Sequence, residues 1–329
     1  NNFGTIALTG ANVSIRDTNA VILGASTISG TYTVIAGGAI TDSGTQEITG
    51  VTTLEAGSSN NITLDTSTNN FAAAVVVTSG NNVEIKDEDA IDLGAATVSG
   101  TYTVTAGGAV TDSGTQEIAG VTTILASGQD VTLNTGTNNF AGEVRITGAA
   151  VTVVDEDAIN LGASTVSGTY SLTAGGAVID SGALAITGVT TLEAGSGNNI
   201  TLDHTSNNFQ GAVRITSGNN VTLVDSGAID LGASTVSGTY AVTATAGGDI
   251  TDSGVLAITG TSTFTVANGQ SVILDEASTF ATVTFTSAGT IASVTINDSN
   301  ALDLGVLTLS GNLNVTAGGA VTDSGTLVV

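Results

Sequence analysis

The 329-residue sequence predicts an all-β fold, a parallel β-solenoid, on three observations. Short markers recur with a period of about 70 residues, apolar residues between them alternate with polar ones, and proline is absent from the whole chain. Repeats of this length point to stacked supersecondary units, each too thin to bury its own apolar face.

The repeats come first because they set the frame. Leu-Gly-Ala-Ser-Thr-Ile/Val-Ser-Gly-Thr-Tyr, with small variations, begins at Leu23, Leu93, Leu161 and Leu231, and a degenerate copy begins at Leu304. Asn-Asn-Phe ends at Phe3, Phe71, Phe140 and Phe209, and Ser278-Thr279-Phe280 is its fifth form. Asp-Ser-Gly starts at Asp42, Asp112, Asp180, Asp252 and Asp323. The expected organisation is one continuous solenoid over 1–329, with sequence repeats at approximately 1–68, 69–137, 138–206, 207–277 and 278–329, the last incomplete. No linker or break in composition separates them. With no Met even at position 1, the chain reads as a piece of a longer translation product.

Strands follow from period two. Val83 and Ile85 alternate with Glu84 and Lys86, Ile200 and Leu202 with Thr201 and Asp203, and Val213 and Ile215 with Arg214 and Thr216. One face of each run is therefore buried. The β-branched runs and frequent Gly disfavour helix, so no substantial helix is expected. Coils of 21 residues or slightly more give about three coils per repeat and roughly 14 in all, a rod of about 65–70 Å at the sheet spacing. An interior strand that donates along the axis has no place for proline, which would delete a ladder hydrogen bond. Tandem β-sandwich domains would need a larger core, turn prolines and linkers. The uncharged run 161–179 is long enough to span a bilayer, but its Gly, Ser and Thr content and its recurrence in every repeat make it strand.

Charge and composition exclude several classes of function. There are 29 Asp and Glu against 4 Lys and Arg, a net charge of −25, and no Cys. A polyanion of this kind repels nucleic acid and anionic lipid, so neither nucleic-acid binding nor membrane insertion is expected. Disulfides and thiolate metal sites are excluded. The lone His204 occupies a turn position filled by Thr66 and Thr135 in preceding repeats, without the partners a triad needs. No enzyme activity is expected.

The acidic runs Asp87-Glu88-Asp89 and Asp155-Glu156-Asp157 are the strongest candidate site. Their hard oxygen ligands suit Ca²⁺, so weak Ca²⁺ association at Asp87, Glu88, Asp89, Asp155, Glu156 and Asp157 stands as the alternative to solvated anionic turns. No other cofactor is expected. The same position reads Asp17-Thr18-Asn19, Asp225-Ser226-Gly227 and Asp298-Ser299-Asn300 elsewhere, a turn whose sequence drifts. Tyr32, Tyr102, Tyr170 and Tyr240, one per repeat, are in phase with core residues and are expected to pack inward.

The combination of Ala-Gly-Gly-Ala-Val-Thr-Asp-Ser-Gly, Asn-Asn-Ile-Thr-Leu-Asp, Asn-Asn-Phe and Asp-Leu-Gly-Ala-Ser-Thr-Val-Ser-Gly resembles the repeats of giant bacterial surface adhesins of the filamentous haemagglutinin type. The resemblance covers the whole chain. It implies a right-handed parallel β-helix on the bacterial cell surface or outside the cell, serving as the shaft of an adhesin or fibre in adhesion, aggregation, biofilm or envelope structure. The expected partners are neighbouring copies or further repeats of the same protein, and host or matrix glycans. A self-assembling filament protomer joined by end-to-end β-addition, or a module that binds glycan or Ca²⁺ on a lateral face, is the alternative.

Overall fold

A computed structural model describes all residues 1–329, and the protein is a parallel β-solenoid without helix. It has about 16 turns of about 20 residues, so each sequence repeat of about 70 residues takes up three coils and part of a fourth. No helix is long and apolar enough to cross a membrane. Two compact units, Asn1–Asn160 and Leu161–Val329, are distinguished by their internal contacts.

Within the first unit, two walls carry most of the ladder. The first wall stacks Val13–Asp17, Tyr32–Ala36, Thr52–Glu55, Val75–Gly80, Ile91–Val98, Val110–Asp112, Val131–Leu133 and Val151–Asp155 in parallel. The second stacks Thr5–Ile6, Val21–Leu23, Ile40–Asp42, Ile62–Leu64, Val83–Asp87, Tyr102–Ala106, Thr122–Leu125 and Glu143–Gly148. A third, short side begins as Thr9–Gly10, Ser26–Ile28, Gln46–Ile48 and Asn70–Phe71. Ladder partners lie about 20 residues apart in sequence, as Val13↔Tyr32↔Thr52 illustrates.

The coil count exceeds the sequence-based 14 because of a tenth strand. Each repeat has ten strand positions, separate strands from Val13–Asp17 through Val75–Gly80 in the first and two of them fused as Ile91–Val98 in the second, and three three-sided coils use only nine. The tenth, Val75–Gly80, lies on Ile91–Val98, whose two halves then part company: Ile91↔Val110 continues the wall, while Ala96↔Gln116 starts a new short side. Meanwhile Ile62 pairs with Val83, so the opening strand of the second repeat sits on the second wall rather than the first. The walls thus exchange strand types at the repeat boundary, and the short side moves to the opposite edge of the coil.

Unit 2 repeats this exchange. Tyr170–Ala174, Thr190–Glu193, Val213–Ser217 and Ile229–Leu231 form one wall, and Ile200–Leu202, Val221–Asp225 and Tyr240–Ala244 lie in the other. Here too the first strand of the next repeat, Val221–Asp225, continues the wall that carried the eighth strand of the preceding one.

Inward residues are the predicted alternating set. Val83, Ile85, Ile200, Leu202, Val213 and Ile215 are buried, as are all four tyrosines. Fully stacked parallel strands bury both their backbone groups and their inward side chains, which is the environment that excludes proline. Leu54, Ile124 and Leu192 fill one inward position in the first three repeats; the fourth has Phe264, which packs edge-on against Tyr240 at 6.2 Å and Phe280 at 6.1 Å. Positive φ is confined to Gly57, Gly128, Gly195, Gly247 and Gly269 in turns.

Candidate functional site

The recurring chemistry of this protein is a buried polar clamp at each repeat boundary. Its need follows from the fold. When the short side ends at Asn70–Phe71, the backbone N–H of Phe71 has no further strand to meet, and a buried orphan donor is costly. Asp87 from the next repeat supplies the acceptor: Oδ2 takes the Phe71 N–H at 3.0 Å and Oδ1 takes the N–H of Asp89 at 2.9 Å. The Glu88 N–H closes the turn by donating to the Asn69 carbonyl at 2.8 Å.

The same geometry recurs at every boundary with these residues. Asp155 accepts from Phe140 at 2.9 Å, Asp225 from Phe209 at 2.7 Å and Asp298 from Phe280 at 3.3 Å. Asp17 accepts from Phe3 at 2.8 Å. All five carboxylates are buried. This corrects the reading of the acidic runs as drifting solvated turns: the second and third positions drift and are exposed except at the half-buried Ser226 and Gly227, but the first is a structural acceptor. Burial pushes the carboxyls of Asp87, Asp155 and Asp225 above the usual aspartate range, against the pull of the two backbone N–H donors. At Asp17 the Phe3 N–H dominates, and the carboxyl falls below it.

A second half of the clamp joins the other two markers. Asn69 donates through Nδ2 to Asp42 Oδ2 at 2.6 Å and accepts the Gln46 N–H through Oδ1 at 2.8 Å. Asn138 does the same with Asp112 at 2.7 Å and Gln116 at 2.9 Å, and Asn207 with Asp180 at 2.6 Å and Leu184 at 2.9 Å. The Asp of Asp-Ser-Gly and the first Asn of Asn-Asn-Phe are thus one unit, and Asn69, Asn138 and Asn207 are wholly buried. The sequence held the signal, since each Asp-Ser-Gly precedes its Asn-Asn-Phe by a nearly constant interval. Gln46 and Gln116 extend the network through Nε2 to the Gly24 and Gly94 carbonyls, both at 2.8 Å.

The remaining candidates lie apart from one another. Asp87 and Asp155 point inward, whereas Glu88, Asp89, Glu156 and Asp157 are exposed, and no group of three or more acidic or His side chains gathers around a common point. His204 lies in the turn after Leu202: its N–H donates to Asp180 at 3.3 Å, and its Nδ1 accepts the Ser206 N–H at 3.2 Å. Lys86 pairs with Glu84 at 3.6 Å and Arg145 with Glu143 at 2.8 Å, both at the surface.

Beside the short sides run shallow grooves. One, of about 320 Å³, is lined by Ser58, Thr97, Glu117 and Asn139. Its counterpart one repeat earlier has Thr27, Glu47 and Asn70, and one in the fourth repeat has Thr235, Ala257 and Thr279.

Five successive segments, 10–78, 80–147, 148–216, 218–287 and 291–329, match a family described as repeats of unknown function, DUF5649. No curated protein and no solved structure matches the chain.

Proposed function

Because the chain belongs to the DUF5649 family of repeats of unknown function, we propose that it acts through its repetition, as the shaft of a bacterial extracellular adhesin or surface fibre. The observation that carries this reading is the recurrence of one clamp at boundary after boundary, built from Asp42, Asn69 and Asp87 and their counterparts. Machinery of this kind holds coils in register and has no singular centre at which a reaction would occur. Stiffness comes from parallel ladders that continue through the repeat boundary, and solubility from the net charge of −25. Neighbouring copies or further repeats are the partners this role requires.

Force spectroscopy on the chain held at its two ends tests the reading. A shaft resists extension to forces at which whole coils detach and gives a sawtooth with the spacing of coils or repeats. A chain that extends smoothly at low force would not serve as one.

The related grooves beside the short sides favour a second reading, a lateral site for host or matrix glycans. Thr97, Glu117 and Asn139 offer donors and acceptors in a row across consecutive coils. A glycan array read with the wild type and Glu117→Ala separates the two roles: a shaft gives no glycan signal that depends on Glu117.

A further inference from the structure

The clamp of the fourth repeat differs from the other three in one atom set. Where Asn69, Asn138 and Asn207 donate to an aspartate, the fourth repeat has Ser278. Its hydroxyl still accepts the Leu256 N–H at 2.9 Å, the role of the Asn Oδ1. It does not replace the Nδ2 donor. Asp252 therefore keeps the two backbone donors of its counterparts, Asp275 N–H at 2.9 Å and Glu276 N–H at 3.4 Å, both on Oδ1, while Oδ2 is buried without a hydrogen-bond partner. Asp252 is also only 8% exposed, whereas Asp42, Asp112 and Asp180 are half-buried.

The surroundings add to the cost of its charge. Asp275 and Glu276 lie on the strand stacked against it, Val272–Ser278. On the other side, Asp230 from Ile229–Leu231 accepts the Ser253 hydroxyl, and Asp249 at the start of its own coil accepts the Ser271 N–H. The cation on neighbouring coils, Arg214, lays its stem along Gly232 and is exposed. A carboxylate oxygen that is buried, unpartnered and close to two further acids, Asp275 and Glu276, favours the protonated form.

We propose that the Asp252–Ser278 clamp is a pH-sensitive latch, held shut in mild acid by a protonated carboxyl and weakened as Asp252 ionises, whereas in the other three repeats an asparagine Nδ2 satisfies the corresponding aspartate oxygen. Burial raises the Asp252 carboxyl to about 7, with Asp275 and Glu276 adding to the effect. For an acid whose folded value lies above its unfolded one, the stabilisation is complete below the unfolded value, near 3.8. It is lost as pH rises to the folded value. Opening of the coil around 250–280 should therefore increase with pH, by up to about tenfold per unit, between about 4 and 7, and level off above.

Hydrogen exchange of the intact chain, corrected for the intrinsic pH dependence, reads this directly in peptides covering 250–280. The wild type should lose at least tenfold in protection there between pH 5 and pH 7.5. Ser278→Asn, which restores the donor present in the other repeats, should abolish most of that loss, and Asp252→Asn should hold protection at its acid level throughout. Equal pH dependence in the wild type and Ser278→Asn, or wild-type protection that does not change between pH 5 and 7.5, overturns the latch. Peptides from the Asp112–Asn138 clamp of the same molecules report whether a variant has disturbed the fold generally, and Asp252→Asn provides an independent reading if Ser278→Asn does.

Discussion

Tyr102 carries a polar atom into the core that nothing there satisfies. Burial raises the Tyr32 phenol to about 12, with the Ser26 hydroxyl opposing it, yet the buried hydroxyls of Tyr32, Tyr102 and Tyr240 all lack a hydrogen-bond partner. At Tyr102 the residue six positions earlier is Ala96 instead of serine, so burial acts there unopposed. Tyr102→Phe should accordingly stabilise the protein by about 1 kcal/mol, since an unpaired buried hydroxyl is removed at almost constant shape. Chemical denaturation measures it, and a loss of stability as large as that of Asn138→Ala would contradict the assignment. Asn138→Ala should cost about 2–3 kcal/mol, because it strips a donor from Asp112 and an acceptor from the Gln116 N–H. The tyrosines and the alternating core were legible in the sequence through period two. The inward position of Asp87 was legible by the same period, since it closes the strand Val83–Asp87 in phase with Val83 and Ile85; the acidic run reads as a turn because a carboxylate is rarely buried among core residues.

At the scale of the element, the corners are set by glycine contacts. Gly120 N–H donates to the Gly100 carbonyl at 3.0 Å, and a Cβ on Gly120 would overlap that carbonyl. Gly50 and Gly188 make the same approach to Gly30 and Gly168. Gly120→Ala should therefore destabilise by about 2–3 kcal/mol through backbone displacement in a packed corner. Gly128, with φ at +74° and open space around it, meets only the left-handed strain, so Gly128→Ala should cost about 1–2 kcal/mol. Melting temperatures of the two variants test the order; the reverse ranking would place the close approach elsewhere. Strand positions themselves were readable from alternation and flanking Gly, Asn and Asp, as Val83–Asp87 and Ile200–Leu202 illustrate. The stacking of Ile62 on Val83 was not, because alternation says which side of a strand faces in and is silent on which strand lies above it.

For the whole molecule, charge is the dominant global variable. A net charge of −25 is relieved by only two surface ion pairs, Lys86–Glu84 and Arg145–Glu143. Added salt screens repulsion and has little attraction to weaken, so the melting temperature should rise between about 0.05 and 0.5 M NaCl. Protonation acts in the same direction. The carboxyls of Asp87, Asp155, Asp225 and Asp252 are raised in the folded state, and groups of this kind add stability that is complete below their unfolded values and is lost as pH rises through the folded ones. Calorimetric melting should therefore be higher at pH 5 than at pH 8. A maximum at pH 8 would mean that these carboxylates are better satisfied than their burial indicates.

By itself the sequence determined the parallel β-solenoid class, the repeat of about 70 residues, the inward-facing residues and the exclusion of proline. These depend on local alternation and on a backbone demand made at almost every position. Only the tertiary structure decided that ten strands per repeat make the two walls exchange roles, that the short side changes edge at each boundary, and that Asp42, Asn69 and Asp87 meet there. A trace was present in the sequence: 50–94 resembles 188–232, two repeats on, more closely than it resembles the intervening copy. The physical reason is that partners in this fold lie about 20 residues apart. Hydrogen-bond register across that distance is set by how many strands fit around a coil, and the tenth strand makes that number differ from the number in a repeat.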